Sequence, residues 1–295
     1  MMRRLAKSVM PAWVIKRYRA TREARRKAAV DALPPLIETQ FRALLTDEFE
    51  LAEGDVVFVH SSADYLKPGF SLMRVLPILL ETVGESGTLV FPTYPELGSY
   101  DFLREGKVFD VRRTPSYMGM LSELARRHPR AVRSLHPTKS VCAIGPAAEA
   151  ITEGHHEGVY PFGPHSPHYK LVKYEARIVG LAVSTRILSF VHCVEDVMGS
   201  DFPVATNHPE LFEAKCVNAE GREVTVQSYA HNLDRMEHNI PRFMARHIPD
   251  EVCREFTTHR RRFYHAYAAP LFERMTELAR RGVTIYPRRH YKRGA

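Results

Sequence analysis

The chain has 295 residues, 44% hydrophobic and 26% charged, enough to bury a large core and ordinary for a soluble enzyme. No apolar run approaches the ~20 residues that span a bilayer, and no signal-like apolar stretch follows the basic N-terminus, so a cytoplasmic protein is expected. The net charge of +8 is concentrated at one end: residues 1–27 hold ten Lys or Arg against Glu23 alone, leaving the remainder near −1, which excludes a uniformly nucleic-acid-binding surface.

In chain order, residues 1–35 read as a basic arm. Val9, Met10, Trp13, Val14 and Tyr18 can share one helical face, with Lys and Arg opposite. Such a segment either packs on the body through Trp13 or lies peripherally on an anionic membrane through residues 1–27. The remainder, 36–295, reads as one α/β domain with a mixed central sheet, flanking helices and appended C-terminal elements. A helix over 36–50 precedes the short apolar run Val56–Val59, the mark of a strand buried on both faces. Helix 73–82 and strand Thr88–Phe91 complete a strand–helix–strand unit, for which parallel pairing is the default. Residues 96–116 read as an irregular substrate-facing loop. Beyond it come a helix over 118–127, a strand over 140–144, short helices over 147–151 and 169–173, and a strand over 177–183. Ser184 and Thr185 offer an N-terminal cap for a further helix. Past residue 200, Phe212–Val217 and Val224–Gln227 read as an antiparallel hairpin. Residues 250–281 read as helical, and Val283–Tyr286 as an edge strand.

The chemistry-bearing motifs fall between Tyr117 and Asp196. They are Met118-Gly-Met-Leu-Ser-Glu-Leu-Ala-Arg-Arg127, Arg133-Ser-Leu-His-Pro-Thr-Lys-Ser140, Pro161-Phe-Gly-Pro-His-Ser-Pro167 and Phe190-Val-His-Cys-Val-Glu195. In residues, order and spacing they resemble the aminoglycoside 3-N-acetyltransferase family (antibiotic N-acetyltransferases), well over roughly residues 36–200 and poorly in the last third. The resemblance implies an acetyl-CoA-dependent amine acetyltransferase with no metal, acting by direct transfer in a ternary complex, with His192 as general base. It also implies that Arg133, Ser134 and Ser140 lie near coenzyme A and that His136 lines the cleft.

Amine acetylation needs a proton acceptor, and a neutral imidazole suits that task near neutral pH. If the segment after Thr185 is helical, Glu195 and Asp196 lie at i+3 and i+4 from His192, on its own face. Glu175, before a strand, is a second candidate for the carboxylate that orients it. Ser61 and Ser62 follow a buried strand, where α/β sheets place ligands, and could hold the thioester oxygen or pantetheine. Met118, Gly119 and Met120 open a helix whose N-terminus would favour phosphates. Phe162 and Ser166 are expected to shape the cofactor groove.

The expected acceptor is an amino sugar with a single amine, nucleotide-linked or a glycan precursor. The segment 227–239 carries only Asp234 and Glu237 as acids, and in residues 95–115 the acids Glu96, Asp101, Glu105 and Asp110 are matched by Arg104, Lys107, Arg112 and Arg113. An aminoglycoside with several ammonium groups would want a more acidic cleft; an aminoglycoside 3-N-acetyltransferase conferring antibiotic resistance is the alternative. A homodimer is compatible with this reading. Three rivals remain. A metal enzyme would use His155, His156, His165 and His168, with His231 and His238 downstream, though no HExxH motif or tight Cys/His quartet occurs. A Cys193 nucleophile next to His192 would point about 100° away from it on a helix. A non-catalytic scaffold would be tethered by the basic arm.

Overall fold

The computed structural model describes residues 12–95, 98–232 and 238–292. Val9 and Met10 lie outside these residues, as do the side chains of Trp13 and Tyr18 within the Ala12–Asp31 helix. That helix meets the body at its carboxyl end. There the Lys67 ammonium accepts the role of a cap, donating to the carbonyls of Val30, Asp31 and Leu33 at 2.8–3.1 Å. A cation placed on the last carbonyls complements the helix dipole and satisfies oxygens that the helix leaves unpaired.

A seven-stranded mixed sheet organises the chain, in the order β4-β5-β2-β1-β6-β10-β9. Its strands are β1 (Val56–Ser61), β2 (Thr88–Pro92), β4 (Val132–Arg133), β5 (Val141–Ile144), β6 (Arg177–Leu181), β9 (Cys253–Thr258) and β10 (Arg261–Tyr267). The smaller sheet is β3-β7-β8, from β3 (Phe109–Asp110), β7 (Asn207–Val217) and β8 (Glu223–His231). As the apolar runs predict, β1 pairs with both β2 and β6 in parallel, while β5 and β10 join antiparallel. Alternation along the strands feeds two cores. Val57, Val59, Leu89 and Phe91 pack on one face with the Val75–Val83 helix. Phe58, Val90 and Ile178 pack on the other with the Ala268–Arg280 helix. The small sheet closes a third cluster around Phe109, Phe212 and Val226.

The expected hairpin after residue 200 is present and longer than its apolar segments suggest. Two readings are corrected. Residues 250–281 are not one helix: β9 and β10 form an antiparallel hairpin, and only Ala268–Arg280 is helical. The hairpin turns through His259 and Arg260, both in the left-handed region at φ 47° and 62°. Two positive-φ residues in a two-residue loop normally announce themselves as Asn-Gly or Asp-Gly. Here the conformation is held from outside, by the Arg261 guanidinium bonding the carbonyls of Tyr65, Leu66, His259 and Pro34. Val283–Tyr286 is not an edge strand either. The chain turns there and carries Tyr286 into the core.

Candidate active site

Because β1, β2 and β6 run parallel, their carboxyl ends lie on one edge of the sheet, and β5, running the other way, begins there. The register places Pro92 opposite Val141, so the residues just before β5 sit beside those just after β2. This convergence encloses a cavity of about 290 Å³. His60 and Ser61 come from the end of β1, Pro92 and Tyr94 from β2 and beyond, Lys139 from before β5, and Ser189 and His192 from the segment after β6. Phe162, Met118, Ile187, His231 and His238 complete its wall. Larger hollows of about 400 and 730 Å³ lie beside Arg133 and over the Val75–Val83 helix. Neither holds a paired histidine and carboxylate.

The expected helix after Thr185 begins as two 3₁₀ turns and becomes α-helical over His192–Met198. It places Glu195 one turn from His192. Their separation is 2.9 Å from Nδ1 to Oε1, with Glu195 almost wholly buried. An ionised carboxylate can only accept, so Nδ1 carries the proton and Nε2 keeps its lone pair. The Tyr286 hydroxyl donates to the same Oε1 at 2.8 Å. Burial, with Glu195 beside it, pushes the Tyr286 phenol well above its ordinary value, so it stays a donor. Asp196 serves a different purpose: Oδ2 accepts from the Phe162 amide at 2.8 Å and Oδ1 from the Asn207 side chain at 2.9 Å. It thus fixes Phe162, which stacks on His231 at 5.2 Å between ring centres.

Opposite lies a neutral relay. Tyr94 donates to Ser189 Oγ at 3.1 Å, while His60 and His168 meet Ser189 and Tyr94 at 2.9 Å each. Burial lowers His60 to about 3 and His168 well below its ordinary value, so both rings are uncharged. Lys139 is more than nine-tenths buried, its ammonium 4.8 Å from the centre of the Tyr94 ring and 6.0 Å from that of Phe162.

Of the residues singled out by sequence, His192, Glu195, Ser61, Met118 and Phe162 are brought together. The turn at Gly119 crosses the end of β1: a Cβ there would sit 3.9 Å from the Ser61 carbonyl oxygen. Met120 opens the Met120–Arg126 helix and is half exposed. Others occupy structural positions. Glu175 is exposed in a left-handed turn and does not orient His192. Ser62 and Ser166 cap short helices, accepting from the amides of Tyr65 and Tyr169. Arg133 is buried with its guanidinium bonded to Thr93, Ser140 and the carbonyls of Val111 and Thr114. It ties the sheet to the 109–116 loop, leaving it committed to protein acceptors rather than phosphates. Ser140 donates to the Thr93 carbonyl. His136 does not line the cavity. It is fully buried, its Nδ1 accepting from the Thr138 and Lys139 amides, and it stacks on His155. Ser134 bonds His155, whose other nitrogen bonds the Pro161 carbonyl. Of the histidines of the metal rival, His155 and His168 are thus engaged in separate bonds, and among the described residues no cluster of three metal-ligating side chains forms.

Tyr94, Lys139, Ser189 and Tyr286 emerge only from the fold, and His231, singled out only for the metal reading, joins them in the site. The available signals were positional: two lie beside strand ends and Ser189 lies one turn before His192.

A family model described as aminoglycoside 3-N-acetyltransferase matches residues 58–279. Aminoglycoside N(3)-acetyltransferase IX of Micromonospora chalcea is 28% identical over 72% of this chain and 80% of its own length. Aminoglycoside N(3)-acetyltransferase VII of Streptomyces paromomycinus is 34% identical over 55% of this chain and 60% of its own. Among solved structures, aminoglycoside acetyltransferase AAC(3)-Xa superposes with a TM-score of 0.71 at 22% identity, covering 90% of this chain and 99% of that one. AAC-IIIb in its binary complex with CoASH gives 0.68 at 19% identity, covering 84% and 98%.

Proposed function

The chain belongs to the aminoglycoside 3-N-acetyltransferase family, and from that premise we propose that the cavity at His192 transfers acetyl from acetyl-CoA to an amine of an amino sugar. The relatives' names make aminoglycosides the first acceptors to test. The observation that carries the reading is the hydrogen bond from His192 to buried Glu195, itself braced by Tyr286. It fixes the tautomer whose Nε2 can take a proton.

In this mechanism the acceptor ammonium loses a proton and its nitrogen attacks the thioester carbonyl. His192 removes the proton released as the C–N bond forms, and Glu195 stabilises the imidazolium. The tetrahedral oxyanion collapses, the C–S bond breaks, and the leaving thiolate takes the proton from the His192 imidazolium, while the proton first lost by the ammonium goes to solvent. Ser61 and the Met118–Met120 turn, at the mouth of the parallel strands, are assigned to the pantetheine end of acetyl-CoA. Residues 36–295 form the catalytic domain in this reading and 1–35 an appended arm.

A second acceptor class, amino sugars that are nucleotide-linked or part of a glycan precursor, is favoured by one feature: the described wall of the cavity contains no carboxylate. Thiol release from acetyl-CoA across kanamycin, gentamicin and amino sugars of the second class decides between them. Activity should require an amine and fall by at least about a hundredfold in His192→Ala, in the range for loss of a general base. Acetyl-CoA binding should persist in that variant by calorimetry. Undiminished turnover by His192→Ala would refute the assignment.

A further inference from the structure

Lys139 is the feature of this cavity that the transfer chemistry does not use. It is 8% exposed, its ammonium rests against the faces of Tyr94 and Phe162, and both rings line the same chamber as His192. Among the described residues no hydrogen bond or ion pair reaches that ammonium. The acid whose charge acts on it, Asp196, is bonded to the Phe162 amide and the Asn207 side chain. Two aromatic faces offset part of the cost of burying a cation, but less than desolvating an unpaired ion costs. Burial accordingly pulls the lysine down to about 8, with Asp196 acting against the shift, so it is largely charged at neutral pH.

A buried ammonium lacking a protein counter-ion, in a chamber whose described wall holds no carboxylate, is arranged to receive an anion. We propose that Lys139 is a specificity-determining residue that pairs with a carboxylate or phosphate borne by the acceptor amino sugar, beside the amine that His192 deprotonates. The same charge opposes acceptors that bring a second ammonium into the chamber. This rests on acetyl transfer at His192 and names the acceptor's other group. No covalent step involves the lysine.

The test compares wild type, Lys139→Met and Lys139→Arg with glucosamine, glucosamine 6-phosphate, muramic acid and kanamycin, by thiol release and by calorimetric binding. In wild type the acidic sugars should show the lower KM. In Lys139→Met their KM should rise about tenfold or more, as expected for losing one charge-assisted pair, with kcat little changed. The KM for glucosamine should change less than that for either acidic sugar, and kanamycin should improve. Lys139→Arg should retain the preference in part. Comparison of the phosphate and carboxylate arms identifies the acid recognised. Thermal melting should be no lower in Lys139→Met, since an unpaired buried charge is removed.

Equal KM for glucosamine and both acidic sugars in wild type would overturn the proposal. So would a fall in kcat on every acceptor alike, which would make Lys139 a donor to the oxyanion. If no compound is acetylated, the transferase reading fails by itself. The calorimetric contrast between wild type and Lys139→Met then decides the lysine: selective loss of acidic-sugar binding upholds it, and no contrast refutes it.

Discussion

One oxygen of Glu195 accepts from both His192 and Tyr286, so the positioning of the proposed base depends on a residue 94 positions away. Tyr286 is a positioning residue in this scheme. Tyr286→Phe should lower kcat/KM by roughly tenfold, the equivalent of one lost hydrogen bond to a charged group at ~1.5 kcal/mol. The pH profile separates positioning from mere packing. A carboxylate relieved of one donor holds the imidazolium proton more strongly, so the acidic limb of kcat/KM should move to higher pH. A lower rate with an unmoved profile would assign Tyr286 to packing alone. A carboxylate partner for His192 was legible, because i,i+3 and i,i+4 spacings on a helix bring Glu195 and Asp196 to its face, and the fold chose Glu195 by giving Asp196 to Phe162 and Asn207. Arg133 and His136 show the opposite case. Their residue types suggest ligand binding, but their donors and acceptors are taken up by Thr93, Ser140 and nearby backbone, which only the folded chain brings within reach.

Among the elements, β2 and β6 are the strands at which the sheet turns from parallel to antiparallel, and at β6 a glycine permits it. Gly180 pairs with Tyr264 of β10, and a Cβ on Gly180 would lie 2.1 Å from the Tyr264 ring. Gly180→Ala should therefore destabilise the fold by about 2–3 kcal/mol or more, as overpacking of a rigid core does. Urea unfolding measures it directly, and a double variant that also trims Tyr264 to Leu should recover part of the loss. An unchanged midpoint in Gly180→Ala would mean that β10 does not pack on β6 as described. Apolar runs foretold β1, β2, β5 and β6 because strands buried on both faces need continuous hydrophobic side chains. The β9–β10 hairpin was missed for a related reason. Cys253-Arg-Glu-Phe-Thr-Thr258 is part exposed and charged, and its turn carries no glycine.

At the scale of the whole molecule, the interior holds an unusual store of neutral imidazole. Burial lowers His60 and His155 to about 3 and His265 to about 4, holds His136 and His168 well below the ordinary value, and lowers His231. For a base depressed on folding, the unfolded chain takes up protons that the native state refuses. Stability is therefore intact above about pH 6.5 and is lost as pH falls toward the folded values, each histidine contributing up to ~1.4 kcal/mol per pH unit. The urea midpoint should decline from just below pH 6.5, earlier than carboxylate titration would cause. A flat midpoint down to pH 5 would contradict this. Among the described residues no helix is long and apolar enough to cross a membrane.

Sequence by itself determined the α/β class, the strand–helix–strand start, the confinement of positive charge to residues 1–27 and the placing of His192 with carboxylates on its own helical face. Each follows from local periodicity, composition or spacing, which do not depend on distant contacts. Tertiary structure alone decided what faces His192. Antiparallel β5 returns Lys139 to the carboxyl edge of β1, β2 and β6, β8 delivers His231 there, and a C-terminal turn brings Tyr286 behind Glu195. Those meetings depend on strand order and direction, and many arrangements of strands bury the same apolar residues equally well.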